Sequence, residues 1–501
     1  MLNAVFRWLP LALVTLVAFW LRTHDLARRP MHADEANQAV KLGELLDAGR
    51  YAFDPRDHHG PTLYYAAVPI AWLRGERSLA TLTETTVRLV PAIFGTLSVI
   101  LLTVVGAALC RDSSVNPDSA SRSSRCWPAL AAGLFLAVSP PAVYYSRYFI
   151  QETLLGTFFL AAIYCAQRWW RTGLTRWALA GGSFVGLIQA TKASAPLFIV
   201  AALIAWLIAR PAGKSRTRRP RRDLAVAAAA AVATAALLYS SFGTNLAGVR
   251  DAFAAYAQAF TRFGAESALT GHEKPWWYYL NIFGWDRVGG MVWHQAAFSA
   301  LAAVGFIVAV ARPDAFLRGV AIYTLVIVGT FSLFAYKTPW HTVHFVPGLA
   351  LLAGGTLLAI SQLRTGRLVA VAFALVVTAT LYQQTSRTSF LRPADQRNPY
   401  AYVHSSFDVL KYRAAAQAAV TQFPNQPIRV ISEEYWPLPW YLRGLPDVGF
   451  YATPPDDCDG ALVIVSITQV EAVRAKLRGT YRESILGLRP GFLCVLFIRE
   501  S

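Results

Sequence analysis

Charge is scarce in this sequence. Only 15% of the 501 residues are charged and 55% are hydrophobic, whereas soluble domains carry about 25% charged residues, so an ordinary soluble domain is excluded and an integral membrane protein is indicated. Acids are the scarcer sign, 29 Asp and Glu against 47 Lys and Arg, for a net charge of +18. Such a surplus could serve nucleic acid, but the arginines cluster in short segments between apolar runs. "RPAGKSRTRRPRR" at 210–222 is the densest of these, the pattern of cytoplasmic loops under the positive-inside rule, and no nucleic-acid partner is expected. Cysteines number five, with no CxxC and no Cys/His zinc spacing. Cys458 and Cys494 share the C-terminal stretch; an oxidising compartment would permit a disulfide between them, and spacing leaves that pairing open. There is no internal repeat, and ionisable residues gather at one face rather than at mid-span, which argues against a repeat-built transporter.

Long apolar runs are plentiful. The first, 5–21, lacks a small-residue cleavage site and has Trp8 and Trp20 near its ends, so it reads as a retained helix with interfacial anchors. Runs of the length a bilayer requires follow at 88–110, 128–146, 152–168, 177–191, 193–210, 224–241, 292–311, 319–336, 339–360 and 367–382, making about eleven spans. With the N-terminus cytoplasmic, the basic segments all fall on one side, provided that 60–73, too short to cross, lies at the interface. Residues 23–87 then form a first outer loop and 242–290 a second. Beyond 385 comes a polar linker, a helix-like "FDVLKYRAAAQAAVTQF" and short β-type runs "IRVIS", "ALVIVS" and "CVLFIR". The expected fold class is an all-α polytopic membrane domain over 1–385 with a small α/β extracytoplasmic domain over 386–501, in a multi-pass protein of the plasma (inner) membrane.

Polar clusters gather on the outer side of this scheme. "MHADEANQAV" (31–40) sets Asp34 beside Glu35. An acid there can simply start a helix, or it can be a base held at a membrane surface. "DPRDHHGPTLYY" (54–65) brings His58, His59 and Tyr64, and "YYSRYFIQET" (144–153) brings Arg147 and Glu152. "GHEKPWWYYL" (271–280) offers His272 and Lys274, and "YKTPWHTVHF" (336–345) offers Lys337, His341 and His344. Taken singly, each cation is a snorkelling side chain and each aromatic run a belt. Together they suit transfer from a lipid phosphate. Cations and imidazoles stabilise the departing phosphate, a carboxylate deprotonates the attacking hydroxyl, and aromatics line an isoprenoid path or a sugar face. One base opposite one leaving group implies inversion at the anomeric carbon.

Eight ordered pieces, "HADEA", "HHGPTLYY", "RLVPAIFGTL", "YYSRYFIQET", "ATKASAP", "HEKPWWYYL", "YKTPWHTVHFVPG" and "EYWPLPWYLR", extend over about 22–450. In these the chain resembles the GT-C membrane glycosyltransferases, in the branch with the protein O-mannosyltransferases and lipid A aminoarabinose transferases. Within that branch it is most similar to the flippase-activity-associated proteins close to glycosyltransferase family 39. The resemblance implies a polyprenyl-phosphate-linked sugar as donor and a lipid, glycan or protein hydroxyl as acceptor. It makes Asp34 the catalytic base, Glu35 its helper or a structural hydrogen-bonder, and Glu152 the second acidic position, where relatives commonly have Asp. The phosphate-contacting position falls on His59, with His58 before it and Tyr64 in the same stretch; relatives often have lysine there. Arg147, His272, Lys274, Lys337 and His341 complete the binding residues. "TKASA" lacks the acid that follows this lysine in relatives, so Lys192 is left outside the core machinery. A divalent cation could be held if His58, His272 and Glu152 converged, although their spacing is no metal signature. A non-enzymatic partner in lipid-linked glycan flipping, or a transporter, is the competing reading.

Overall fold

The computed structural model describes residues 2–55, 59–110, 127–209, 218–263, 273–312 and 314–500. In chain order its first helices are α1 (Leu2–Thr23), α2 (Ala33–Ala48), α3 (Thr62–Leu73), α4 (Glu84–Gly106), α5 (Trp127–Val138), α6 (Pro140–Tyr145) and α7 (Glu152–Thr172). Then come α8 (Thr175–Gln189), α9 (Ala195–Ala209), α10 (Pro220–Tyr239), α11 (Ala247–Phe263), α12 (Tyr278–Phe283) and a hairpin of β1 (Trp285–Val288) and β2 (Met291–His294). Helices α13 (Ala296–Ala311), α14 (Ala315–Leu333), α15 (Val346–Ser361) and α16 (Gly366–Ser386) complete the apolar part. Each expected span coincides with one of these helices, or at 128–146 with the α5–α6 pair. Among the described residues, five helical stretches are by themselves long and apolar enough to cross a bilayer, and five more are shorter and apolar. The 12-residue α3 is the short segment that could not cross. This is the helix content of a multi-pass membrane protein.

The chain divides into two compact units, one of 1–24, 50–66 and 88–391, the other of 25–49, 67–87 and 392–501. In the first, α7 packs on α8, α8 on α10, α9 on α14, and α15 on both α5 and α13. Small residues set these approaches. A Cβ at Gly182 or Gly186 on α8 would lie 2.1 or 2.5 Å from the carbonyl oxygens of Ala227 and Ala231 on α10. The alanine-rich 225–236 is thus the smooth partner of a Gly-x-x-x-Gly face, the packing membrane helices use when burial of apolar area supplies no drive. Arg22, fully buried at the end of α1, donates to the carbonyls of Leu136 (3.1 Å) and Ala137 (2.9 Å). Its charge meets the unsatisfied, negative C-terminus of α5.

The second unit holds α17 (Val409–Gln422), β3 (Ile428–Ile431), α18 (Leu438–Tyr441), β4 (Val448–Tyr451), β5 (Leu462–Ser466), α19 (Val470–Arg474), β6 (Tyr481–Arg489) and β7 (Phe492–Arg499). The sheet order is β4-β3-β5-β7-β6, with β3 parallel to β4 and β5, and β7 antiparallel to β5 and β6. Ile431, Val463, Val465, Val473 and Phe497 form its apolar core. Cys458 and Cys494 are buried there as free thiols. The same unit includes α2 and the turn before α4. Trp440 Nε1 donates to Glu84 (2.7 Å), the Arg443 guanidinium lies 3.7 Å over the Trp440 ring and donates to Leu82 O, and Met31 N–H donates to Tyr441 Oη (2.8 Å). The "EYWPLPWYLR" stretch therefore ties the sheet domain to part of the first long loop.

Candidate functional site

At the start of α2 the two neighbouring acids have opposite environments. His32 is the N-cap, not Asp34: its Nδ1 accepts the Asp34 N–H (3.0 Å), and Glu35 reaches back to the His32 N–H to close a capping box. The Glu35 side chain is fully buried, 3.5 Å from the Arg29 guanidinium. That of Asp34 is 54% exposed. Among the described residues the Asp34 carboxylate accepts no hydrogen bond, and the nearest imidazole nitrogen, His32 Nδ1, stands 3.9 Å away. That nitrogen cannot be a cationic partner while it accepts from the backbone. His32 Nε2 lies 3.1 Å from the Tyr402 carbonyl and can only donate to it, so bond accounting gives a neutral ring protonated on Nε2. Burial agrees, holding the His32 pKa below its ordinary value against the pull of Asp34 and Glu35. Two residues of the interdomain linker complete this surround. The His404 ring meets His32 edge-on at 5.7 Å, and the Tyr402 phenol is raised in pKa first by burial and then by the Asp34 charge.

Glu152 is arranged otherwise. It is the first residue of α7, buried, and both its oxygens are taken: Oε1 by the Lys192 ammonium and Oε2 by His344 Nε2 at 3.1 Å. The helix N-terminus favours the same charge. Lys192 reaches it from the turn between α8 and α9, and that turn is pinned to the "HHGPT" segment. Gly60 N–H donates to Thr191 O (3.1 Å), Thr62 N–H to Ala190 O (3.2 Å), and the hydroxyls of Thr62 and Thr191 lie 2.8 Å apart. Only glycine fits at 60, because a Cβ there would lie 2.1 Å from Ala190 O. His59 O accepts from Tyr51 Oη (3.1 Å), and the Tyr51 ring stacks on buried Tyr64 with centroids 5.0 Å apart.

The other expected residues are placed as follows. Buried His341 lies with Nδ1 3.1 Å from Tyr279 Oη and its ring 4.4 Å from that of Phe331. Lys337 is buried, its ammonium donating to the carbonyls of Lys274 (2.9 Å) and Phe334. Lys274, half-buried, pairs through its backbone with Ala335. The Arg147 guanidinium donates to the carbonyls of Leu21 and His24 and stacks 4.6 Å over Phe390, so it holds the end of α1. His58 and His272 lie outside the described residues. Among the described residues no three His, Cys, Asp or Glu side chains gather as a metal would need. Asp34 and Glu35 belong to the unit containing the sheet, and the described cations and imidazoles among the expected binding residues to the helical one. Sequence reasoning left Lys192 aside because no acid follows it in "TKASA", whereas its acid is Glu152, 40 residues earlier; it missed Tyr402 and His404 because both meet His32 from the far end of the chain.

Comparison with known proteins supplies the fold. A family model described as dolichyl-phosphate-mannose-protein mannosyltransferase matches residues 118–239. No curated protein sequence matches. Among solved structures, ArnT from Cupriavidus metallidurans in the apo state aligns over 99% of this chain and 98% of its own, at 15% identity and TM-score 0.60. The same protein bound to undecaprenyl phosphate aligns over 97% of each chain at TM-score 0.63. The oligosaccharyltransferase AglB from Archaeoglobus fulgidus, in complex with an inhibitory peptide and a dolichol-phosphate, aligns over 96% of this chain and 73% of its own, at 13% identity and TM-score 0.56. The chain has the GT-C fold, and the resemblance carried by its motifs is borne out at the level of the mannosyltransferase model and of that fold.

Proposed function

We propose that this chain is an inverting membrane glycosyltransferase that moves a sugar from a polyprenyl-phosphate donor to a hydroxyl of a lipid, glycan or protein on the extracytoplasmic face. The observation that carries the proposal is Asp34, a half-exposed carboxylate without hydrogen bond or ion pair among the described residues, set on a helix whose first turn is locked by His32 and Glu35. A general base must be ionised, reachable and held still, and a partnered carboxylate would satisfy only the first and last of these. Asp34 removes the proton of the acceptor hydroxyl as that oxygen attacks the anomeric carbon. The bond to the phosphate oxygen breaks on the opposite side and inverts the centre. Basic groups meet the charge of the departing polyprenyl phosphate. Glu152, with both oxygens engaged, serves by holding Lys192 and His344 in place.

The test is turnover by the purified full chain. A radiolabelled polyprenyl-phosphate sugar, offered with candidate acceptors, should yield free polyprenyl phosphate and a glycosylated product of inverted configuration. Binding of the donor without turnover across the acceptor panel would favour an accessory protein of glycan flipping and overturn the proposal.

A further inference from the structure

In the helical unit, α7, α9, α14 and α15 line a half-open pocket of about 720 Å³, none of whose residues is given a chemical step above. It extends along α7 from Gly156 to Arg171, fifteen residues and so about 22 Å of helix. Its wall between those ends is apolar, with Phe159, Ile163, Ala202, Gly319 and Leu351 among the residues that form it. The two ends differ. At the Gly156 end stands His344, whose Nε2 is already given to Glu152, which in turn holds Lys192; the described lining holds no further cation at that end. At the other end the lining holds Gln167, Arg171 and the indoles of Trp169, Trp170 and Trp206, with Trp170 and Trp206 edge-to-face at 6.2 Å. Arg171 is half-buried in the last turn of α7, and among the described residues it has no acid partner. An arginine beside tryptophans at a span end lies at headgroup depth, and this one turns into the cavity wall.

We infer that this cavity is a binding site for an anionic glycerophospholipid, with the phosphate at Arg171 and one acyl chain lying along α7 toward His344. The length suits one extended acyl chain, and a polyprenyl chain of many isoprene units would overrun it. The occupant is therefore a resident lipid of the helix bundle, separate from the donor of the proposed reaction.

Native mass spectrometry of the full chain in detergent, with phosphatidylglycerol or phosphatidylcholine added, tests this. Wild type should retain one phosphatidylglycerol, preferred about fivefold, the effect of one basic residue near a lipid surface. Arg171→Gln should lose the preference while still taking either lipid. Gly319→Leu should retain neither, since its Cβ has only Ala209 Cβ at 3.5 Å and the side chain enters the cavity. Should that variant not fold, Ala202→Leu fills the same space. The inference is overturned if Arg171→Gln keeps the preference, if a folded filled variant retains phosphatidylglycerol as wild type does, or if the cavity variants displace an added polyprenyl phosphate instead.

Discussion

Asp34 and Glu152 are both acids at the start of a helix, and they are treated oppositely. Around Glu152 every polar contact is closed: two cationic or imidazole partners, a helix N-terminus and no exposure. Around Asp34 the frame is closed but the acid is not, since His32, Glu35, Arg29 and Tyr402 bond with one another or with the backbone and leave its carboxylate open. A buried, fully paired carboxylate fixes geometry, whereas one left unpaired on a fixed frame is free to exchange a proton.

That contrast breaks most readily at the closed region. Lys192→Met leaves the Glu152 charge buried with one partner removed, and the expected loss is about 3–5 kcal/mol of stability, read as a lower unfolding midpoint in detergent. Adding Glu152→Gln to it should recover part of the loss, because the two side chains are coupled. Gly60→Ala drives a methyl against Ala190 O and should cost about 1–3 kcal/mol, read the same way; an unchanged midpoint would show that the 59–62 segment is not held as described.

The smallest effect sharpens the open region. Burial holds the His32 pKa below its ordinary value, so the unfolded chain binds that proton first. The group therefore contributes stability above about pH 6.5, and this is lost as the pH falls below that value toward the folded pKa. His32→Asn keeps a good N-cap and removes the titration, so its unfolding midpoint should depend less on pH below about 6.5 than that of wild type.

Much of the fold could be read from hydropathy and length, because a bilayer imposes both: α1, α4, α13 and α16 coincide with their apolar runs, and α3 was identified by being too short. Strands β3, β5 and β7 were legible as β-branched runs. Strand β4, "VGFY", is broken by a glycine and half-buried throughout, so no β-branched run marks it, and "YRESILGLR" of β6 carries the charged, exposed positions of an edge strand. In the site, adjacency in sequence revealed the Asp34–Glu35 pair but not which of the two is buried. Lys192 finds its acid across α7 and α8, and His32 finds Tyr402 from 370 residues away; no local pattern records such pairings.

The open carboxylate of Asp34 is addressed directly by one substitution. Asp34→Asn keeps the shape of the side chain and removes the base, at a position whose carboxylate contributes no hydrogen bond to the fold among the described residues. Sugar transfer from a polyprenyl-phosphate donor should fall about 10²–10⁴-fold, with the unfolding midpoint and donor binding unchanged. Transfer at the wild-type rate by the folded variant would contradict the account.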